Sequence, residues 1–327
     1  MPTTSFGDIS PRTAAYAAKE LLRRGLPHLV LEKFGQAKTQ DANTGLIQKF
    51  RRYEALPTTP KVLQEGVTPA STKLTHTDVT ATLTQMGDVV TLTDIILDTH
   101  EDKVLMETMG LLGEQSAQMV ERMRFGIVKG GTNVAYANGT TRSAVNTPIS
   151  VALQRRAVKA LKRQNASQIT TIVRSTPAFD TQAVAPAFVA LIHPDLEADV
   201  RNLPGFTPAE KYGTISPWEN ELGKLDDVRY VTSTIFEPWE NAGGAKGAMQ
   251  STGGTNADVY PILMLGRDAY GIVAHKGAFA VTPTVVNPKP SDSDPLGQRG
   301  HAGWKTLQTA VILNDFFMCR LEVAATA

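Results

Sequence analysis

From Thr99 to Gly131 the sequence carries one apolar stripe: Leu105, Met109, Leu112, Ser116, Met119, Met123 and Ile127 recur at steps of three and four residues. Side chains so spaced share one face of an α-helix, and a helix of this length runs about 45 Å. The rest of the chain must therefore be laid along a rod. Gly110, Gly113 and Gly126 each cost up to about 1 kcal/mol relative to alanine, so packing must hold the rod, and it is expected to bend there. Thr99 and Asp102 form a capping-box pattern, Glu101 and Asp102 suit the positive end of the dipole, and Arg122, Arg124 and Lys129 suit the negative end. The stretch "FGIVKGGTNV" closes it. A phosphate-binding loop needs its lysine after the last glycine, whereas Lys129 precedes Gly130 and Gly131. The expected role is a helix C-terminus with a left-handed glycine cap.

Ahead of the rod, Leu46 to Leu97 is rich in threonine and valine, with its glycine and proline signals between the runs, which predicts a β-ribbon. Thr75, Thr77, Thr80, Thr82 and Thr84 alternate with Leu74, His76, Val79, Ala81 and Leu83 through a phase shift near Asp78. Such a ribbon buries little against its own chain, and an isolated hairpin is marginal in water. Ten strand residues span about 34 Å, enough to reach a neighbouring subunit. Arg51, Arg52, Glu54, Lys61, Glu65 and Lys73 are the candidate inter-subunit contacts along it.

Elsewhere, Ser10 and Pro11 open a short helix that Gly25 stops, and Leu26 to Gly45 has the character of an extended connector. After the rod, "ISVALQRRAVKALKRQNA" predicts a basic amphipathic helix with Arg155, Arg156, Lys159, Lys162 and Arg163 on one face and Val151, Val158 and Leu161 toward another. That cationic face suits nucleic acid or a membrane, while the plainer reading is a solvated outer surface. The remainder alternates short strands, helices and loops: a strand ending at His193 with Pro194 opening a helix, a glycine-rich mobile loop after Glu240, and a close in two strands joined at Asn314 and Asp315.

Composition removes several classes. With 33 basic and 32 acidic side chains the charge is balanced, unlike a dedicated nucleic-acid binder. Cys319 is the only cysteine, so no intrachain disulfide forms. No signal-peptide core and no run of eighteen apolar residues occurs, which implies a soluble product with no membrane partner. His193, Asp195 and Glu197 in "HPDLEAD" fan around a helix start and do not follow a common ligand pattern. "DSDPLG" begins like a calcium loop but has Gly303 where a bidentate glutamate is needed. No acyl-transfer motif is present, so no catalytic, cofactor-binding or metal residues are expected.

The order of arm, polar ribbon, long helix and mixed body resembles the major capsid protein of tailed bacteriophages, the fold named after phage Hong Kong 97. "LVLEKFGQAK", "KFRRYEAL", "LTDIILDTHED", "LLGEQSAQ", "FEPWENAGG", "DVYPILMLGRDAYG" and "DPLGQRGHAGWKT" look like runs in one large family of such coat proteins, and they extend over nearly the whole chain. The resemblance implies an α+β Hong Kong 97-like capsid fold: an N-terminal arm over 1–49, an extended loop over 50–98, a peripheral domain with its spine helix over 99–184, an axial domain over 185–265, and a return to the peripheral domain over 266–327. It also implies self-assembly in the host bacterial cytoplasm into hexamers and pentamers of an icosahedral virion capsid around double-stranded DNA held without sequence-specific contacts. A portal and a separate scaffolding protein would be its partners. The competing class is a soluble α/β binding module or an uncharacterised enzyme.

Overall fold

The computed structural model describes residues 29–41, 43–99, 104–173, 181–213, 217–275, 281–288, 290 and 294–327. The helix expected after Ser10, the capping pair Thr99–Asp102 and the start of "DSDPLG" lie wholly or partly outside them.

In chain order, a 3-10 turn at Leu31–Lys33 leads into β1 (Gln36–Gln40), then β2 (Ile47–Tyr53), β3 (His76–Thr82) and β4 (Thr84–Thr93). Helix α1 (Asp94–Thr99) precedes α2 (Val104–Val128), the long rod. Next come β5 (Val134–Tyr136), α3 (Val151–Arg163), β6 (Ile169–Val173), β7 (Thr181–Ile192), α4 (Glu197–Arg201), β8 (Thr207–Pro208), β9 (Glu221–Leu225) and β10 (Val228–Thr232). The chain ends with β11 (Val259–Leu265), β12 (Tyr270–His275), β13 (Thr282–Val286), β14 (Arg299–Ile312) and β15 (Met318–Ala324).

Two sheets organise the body. One is centred on β14, whose first ten residues pair with β4 along one edge while β13 and β12 share the other, and β1 adds to β12 in parallel. The stretch expected as a connector therefore contributes a strand. The other sheet runs β5-β15-β11-β7-β10-β9-β8, with β6 alongside β7. It draws β5, β6 and β15 from outside 185–265.

The expected closing pair does not form. β14 and β15 belong to different sheets, as do the adjacent β11 and β12. Each tight turn moves the chain between layers, so apolar strands at both positions find partners distant in sequence. Every residue of β15 is buried. Cys319, Leu321 and Val323 enter a core with Phe188, Ile192, Tyr230 and Ile262, while Arg320 and Glu322 fill the opposite face.

Helix α2 lies against β14, and Met109 and Leu112 pack on Leu92, Ala302 and Trp304. The expected stripe holds through Ser116 and then turns. Met119, Met123 and Ile127 are only half-buried, whereas Val120, Glu121, Arg124, Phe125 and Val128 face inward. A straight helix drifts against a pattern with shorter repeat, and here the drift brings two charged side chains into the interior. Arg124, expected as a dipole partner, is buried against Glu32.

The end of α2 also differs from expectation. Neither Gly130 nor Gly131 has a positive φ. Their N–H groups instead donate to Ile127 and Val128 carbonyls at 3.1 and 3.2 Å, and Arg320 Nη1 reaches the carbonyls of Lys129 and Gly131. A Cβ at 131 would stand 2.9 Å from both Asp315 Oδ1 and Met318 Cε, so any larger residue there would have to displace the tips of those two side chains.

Candidate functional site

The ribbon is a real hairpin, but shorter than 46–97. β2 and β3 pair from Ile47 opposite Thr82 to Tyr53 opposite His76, while β4 leaves the ribbon to lie along β14. Its base is anchored. Phe50, Ala81 and Leu83 are buried with Val273, and Val79, Leu307, Val311 and Leu313 flank them. Beyond Tyr53 the residues up to Thr75 are exposed and form no strand. Val62 is 92% exposed, Leu63 68% and Val67 60%, so this tip shows water an apolar surface that its own chain does not cover.

The charged side chains of the ribbon divide into two groups. Arg51 grips Asp78 with two hydrogen bonds of 2.8 and 2.9 Å, and that contact holds the Asp78 carboxyl below its usual range. Glu54 accepts from the Thr77 and Thr75 hydroxyls at 2.9 and 3.0 Å, which lower it likewise. Lys61 donates to Ala70 O and Thr72 Oγ1, both at 2.8 Å, bending the tip back on itself. Arg52, Glu65 and Lys73 make no hydrogen bond or ion pair among the described residues.

On α3, Ser150 caps the first turn by accepting from Leu153 N at 3.2 Å. Its buried face is Leu153, Ala157 and Leu161, with Val151 and Val158 only partly covered. Gln154 is buried too, donating to Leu225 O at 2.9 Å and accepting from the Tyr230 hydroxyl at 2.6 Å. The five cations point outward, as the pattern predicts. Arg155 pairs with Asp226 at 2.9 Å and Lys162 pairs with Asp227, both from the β9–β10 turn. Arg156 donates to Tyr136 O at 3.3 Å. Lys159 and Arg163 have no such partner among the described residues, and they line a groove of about 570 Å³ beside those two pairs.

A third cluster was not legible as a unit. Trp239 carries the Arg142 guanidinium 3.6 Å from its ring centre, with Lys129 at 5.2 Å and Arg320 at 5.5 Å. Buried Glu322 accepts two 2.8 Å bonds from Arg142 and one of 2.9 Å from Arg320. This knot ties the end of α2 to β15 and to the "FEPWENAGG" run. Only that run's tryptophan beside two acids hinted at it. The glycine-rich loop that follows is not loose: buried Asp258 accepts from Asn241 N, Thr252 N and Thr252 Oγ1 at 2.7, 2.8 and 2.8 Å.

The residues of "HPDLEAD" act as fasteners. His193 Nδ1 accepts from Asp195 N at 3.3 Å, Asp195 accepts from the Tyr260 hydroxyl at 2.7 Å, and Asp199 accepts from Thr326 N and Oγ1 at 2.9 and 2.6 Å. Burial pushes the Cys319 thiol up to about 11. Among the described residues no group of three His, Cys, Asp or Glu side chains is placed to hold a metal ion, and no helix is long and apolar enough to cross a membrane.

A protein-family model described as "Phage capsid protein" matches residues 77–291. The fold is similar to the capsid of Ralstonia phage GP4, with 14% identity, 92% of each chain covered and a TM-score of 0.67. It is also similar to the head structure of Helicobacter pylori bacteriophage KHP40, at 10% identity over 88% of this chain and 87% of that one, with a TM-score of 0.62. Cyanophage Pam1 offers a further likeness, at 12% identity over 93% and 92% with a TM-score of 0.61. A search of curated proteins finds no match. With two thirds of the sequence matched by that family and the whole fold shared with phage shells, the chain belongs to the phage capsid protein family, as a major capsid protein of the Hong Kong 97-like fold that forms an icosahedral shell.

Proposed function

We propose that copies of this chain join as hexamers and pentamers, and that the resulting shell encloses packaged double-stranded DNA without reading its sequence. The observation that carries this is the uncovered apolar tip of the ribbon around Val62, Leu63 and Val67. A neighbouring copy is the partner that removes it from water, and permanent interfaces of this kind commonly bury more than about 2,000 Å². Arg52, Glu65 and Lys73 are the inter-subunit charges, with Arg51, Glu54 and Lys61 shaping the loop that presents them. The regions 1–49, 50–98, 99–184, 185–265 and 266–327 act as arm, extended loop, peripheral domain, axial domain and return, with β5, β6 and β15 completing the axial sheet. The outward face of α3, with Arg155, Arg156, Lys159, Lys162 and Arg163, meets the DNA. The role is structural and not enzymatic. Assembly takes place in the bacterial cytoplasm with a portal and a separate scaffolding protein.

Velocity sedimentation and electron microscopy of the purified chain test this reading. Hexamer- and pentamer-built shells are expected from the full chain. Replacing residues 57–72 by a short glycine linker is expected to leave a cooperative melt and abolish shells; intact shells from that variant would overturn the role given to the tip.

A further inference from the structure

Beneath the long helix lies a polar node that assembly does not explain. Glu121 is fully buried, and its Oε1 accepts from the backbone N–H groups of Val30 and Leu31 at 3.1 and 2.7 Å. Its Oε2 is enclosed without a partner. From the facing segment comes Glu32, 5% exposed, whose carboxylate stands 3.2 Å from Arg124 Nη1. Arg124 spends its other terminal nitrogen on Gln308 Oε1 of β14 at 2.8 Å. Tyr270 of β12 donates its hydroxyl to the Leu31 carbonyl. Lys33, the remaining cation of the segment, turns away to Glu219 at 2.7 Å.

Two buried carboxyl groups thus share one buried guanidinium. When both ionise, the node holds an uncompensated negative charge away from water, which is costly. One proton is the cheapest remedy. Burial raises both carboxyl groups, Glu32 against the pull of Arg124 and Lys33, but the ion pair of Arg124 is with Glu32, and the free Oε2 of Glu121 can take the proton without disturbing the two bonds to Oε1.

We propose that Glu121 is a proton-controlled clasp, holding the segment Leu29–Phe34 to the long helix firmly while its carboxyl group is protonated and more weakly once the proton is lost. Burial is the main cause that pushes Glu121 up to about 7 from 4.5, with Glu32 adding to it and Arg124 and the two N–H groups opposing. Tyr270 stays neutral, since burial raises its hydroxyl well above the ordinary value. The sign follows from linkage. A detached segment leaves Glu121 in water with an ordinary, lower pKa, so protons bind preferentially to the docked state. Docking therefore weakens by up to about tenfold for each pH unit between the two values, and the loss levels off above about 7.

Hydrogen exchange on the full chain, read by mass spectrometry at the Val30 and Leu31 amides and corrected for the intrinsic pH dependence, tests the clasp. Peptides from the fully buried strand β11 give the internal reference. Protection of the two amides is expected to fall between about pH 5 and pH 7 in the native chain and to be flat in Glu121→Gln. In Glu32→Gln, Arg124 is released to Glu121 and the fall is expected at lower pH. Native protection that does not change relative to β11, or Glu121→Gln with the native slope, would overturn the proposal. If Glu121→Gln fails to fold, a Glu32→Gln step at the native pH overturns it instead.

Discussion

Arg320 reaches from β15 to the Gly131 carbonyl at 3.0 Å, bracing the chain just past a helix whose last residue lies 192 positions earlier. The same guanidinium holds Glu322 at 2.9 Å. One side chain thus holds the Lys129 and Gly131 carbonyls just beyond the helix and neutralises a carboxylate with no exposure.

Arg320→Met is therefore expected to destabilise the subunit by about 3 kcal/mol, since it takes the donor from the Lys129 and Gly131 carbonyls and leaves Glu322 with Arg142 alone. Urea unfolding followed by circular dichroism measures this. A midpoint matching the native chain would mean that water replaces the guanidinium without loss.

The inward turn of α2 makes a second comparison. Met109 is fully buried while Met119 is half-buried. Met109→Asp should cost several kcal/mol and prevent folding, whereas Met119→Asp should give a folded chain with a smaller loss. Equal melts for the two variants would contradict the rotated face.

The ribbon pair gives a pH prediction. Arg51 keeps the Asp78 carboxyl below its ordinary value, so the contribution of the pair is present above about pH 4 and is lost as pH falls through the lower folded value. Carbon-detected titration of Asp78 should show the depressed pKa, and Arg51→Gln should restore it to the usual carboxylate range. Both groups are exposed, so the global melt should scarcely move.

For the basic helix, Lys159→Gln with Arg163→Gln should lower the salt dependence of binding to double-stranded DNA by about two ions, roughly one per phosphate contact removed. Asp226→Asn should strengthen binding by freeing Arg155. Subunit folding should be unchanged in each, as circular dichroism would establish. An unaltered salt slope would remove this face from contact with DNA.

Replacing Arg52 by Glu probes the assembly surface itself. This side chain has no hydrogen-bonded partner among the described residues and only a through-space attraction to exposed Glu54, so the isolated fold should change by at most about 1 kcal/mol. Repetition at every equivalent interface of a closed shell should nevertheless suppress assembly. Normal shells by sedimentation would exclude Arg52 from the interface.

The sequence by itself determined the local elements and their character. Leu105 to Ser116 carry the helical period, Thr75 to Leu83 the strand alternation, and the cations of α3 their common outward face, because each pattern depends on neighbours within a few turns or strand residues. The family resemblance was legible for the same reason, in short runs such as "FEPWENAGG". Only the tertiary structure decided that β14 and β15 part into separate sheets, that Glu121 and Arg124 are buried, and that Arg320 braces the chain just beyond α2, where no left-handed glycine occurs. Those outcomes depend on which side chains are brought together from positions about 90 to 190 residues apart. Local periodicity does not encode such meetings, since a buried charge is tolerated only where distant partners supply its hydrogen bonds.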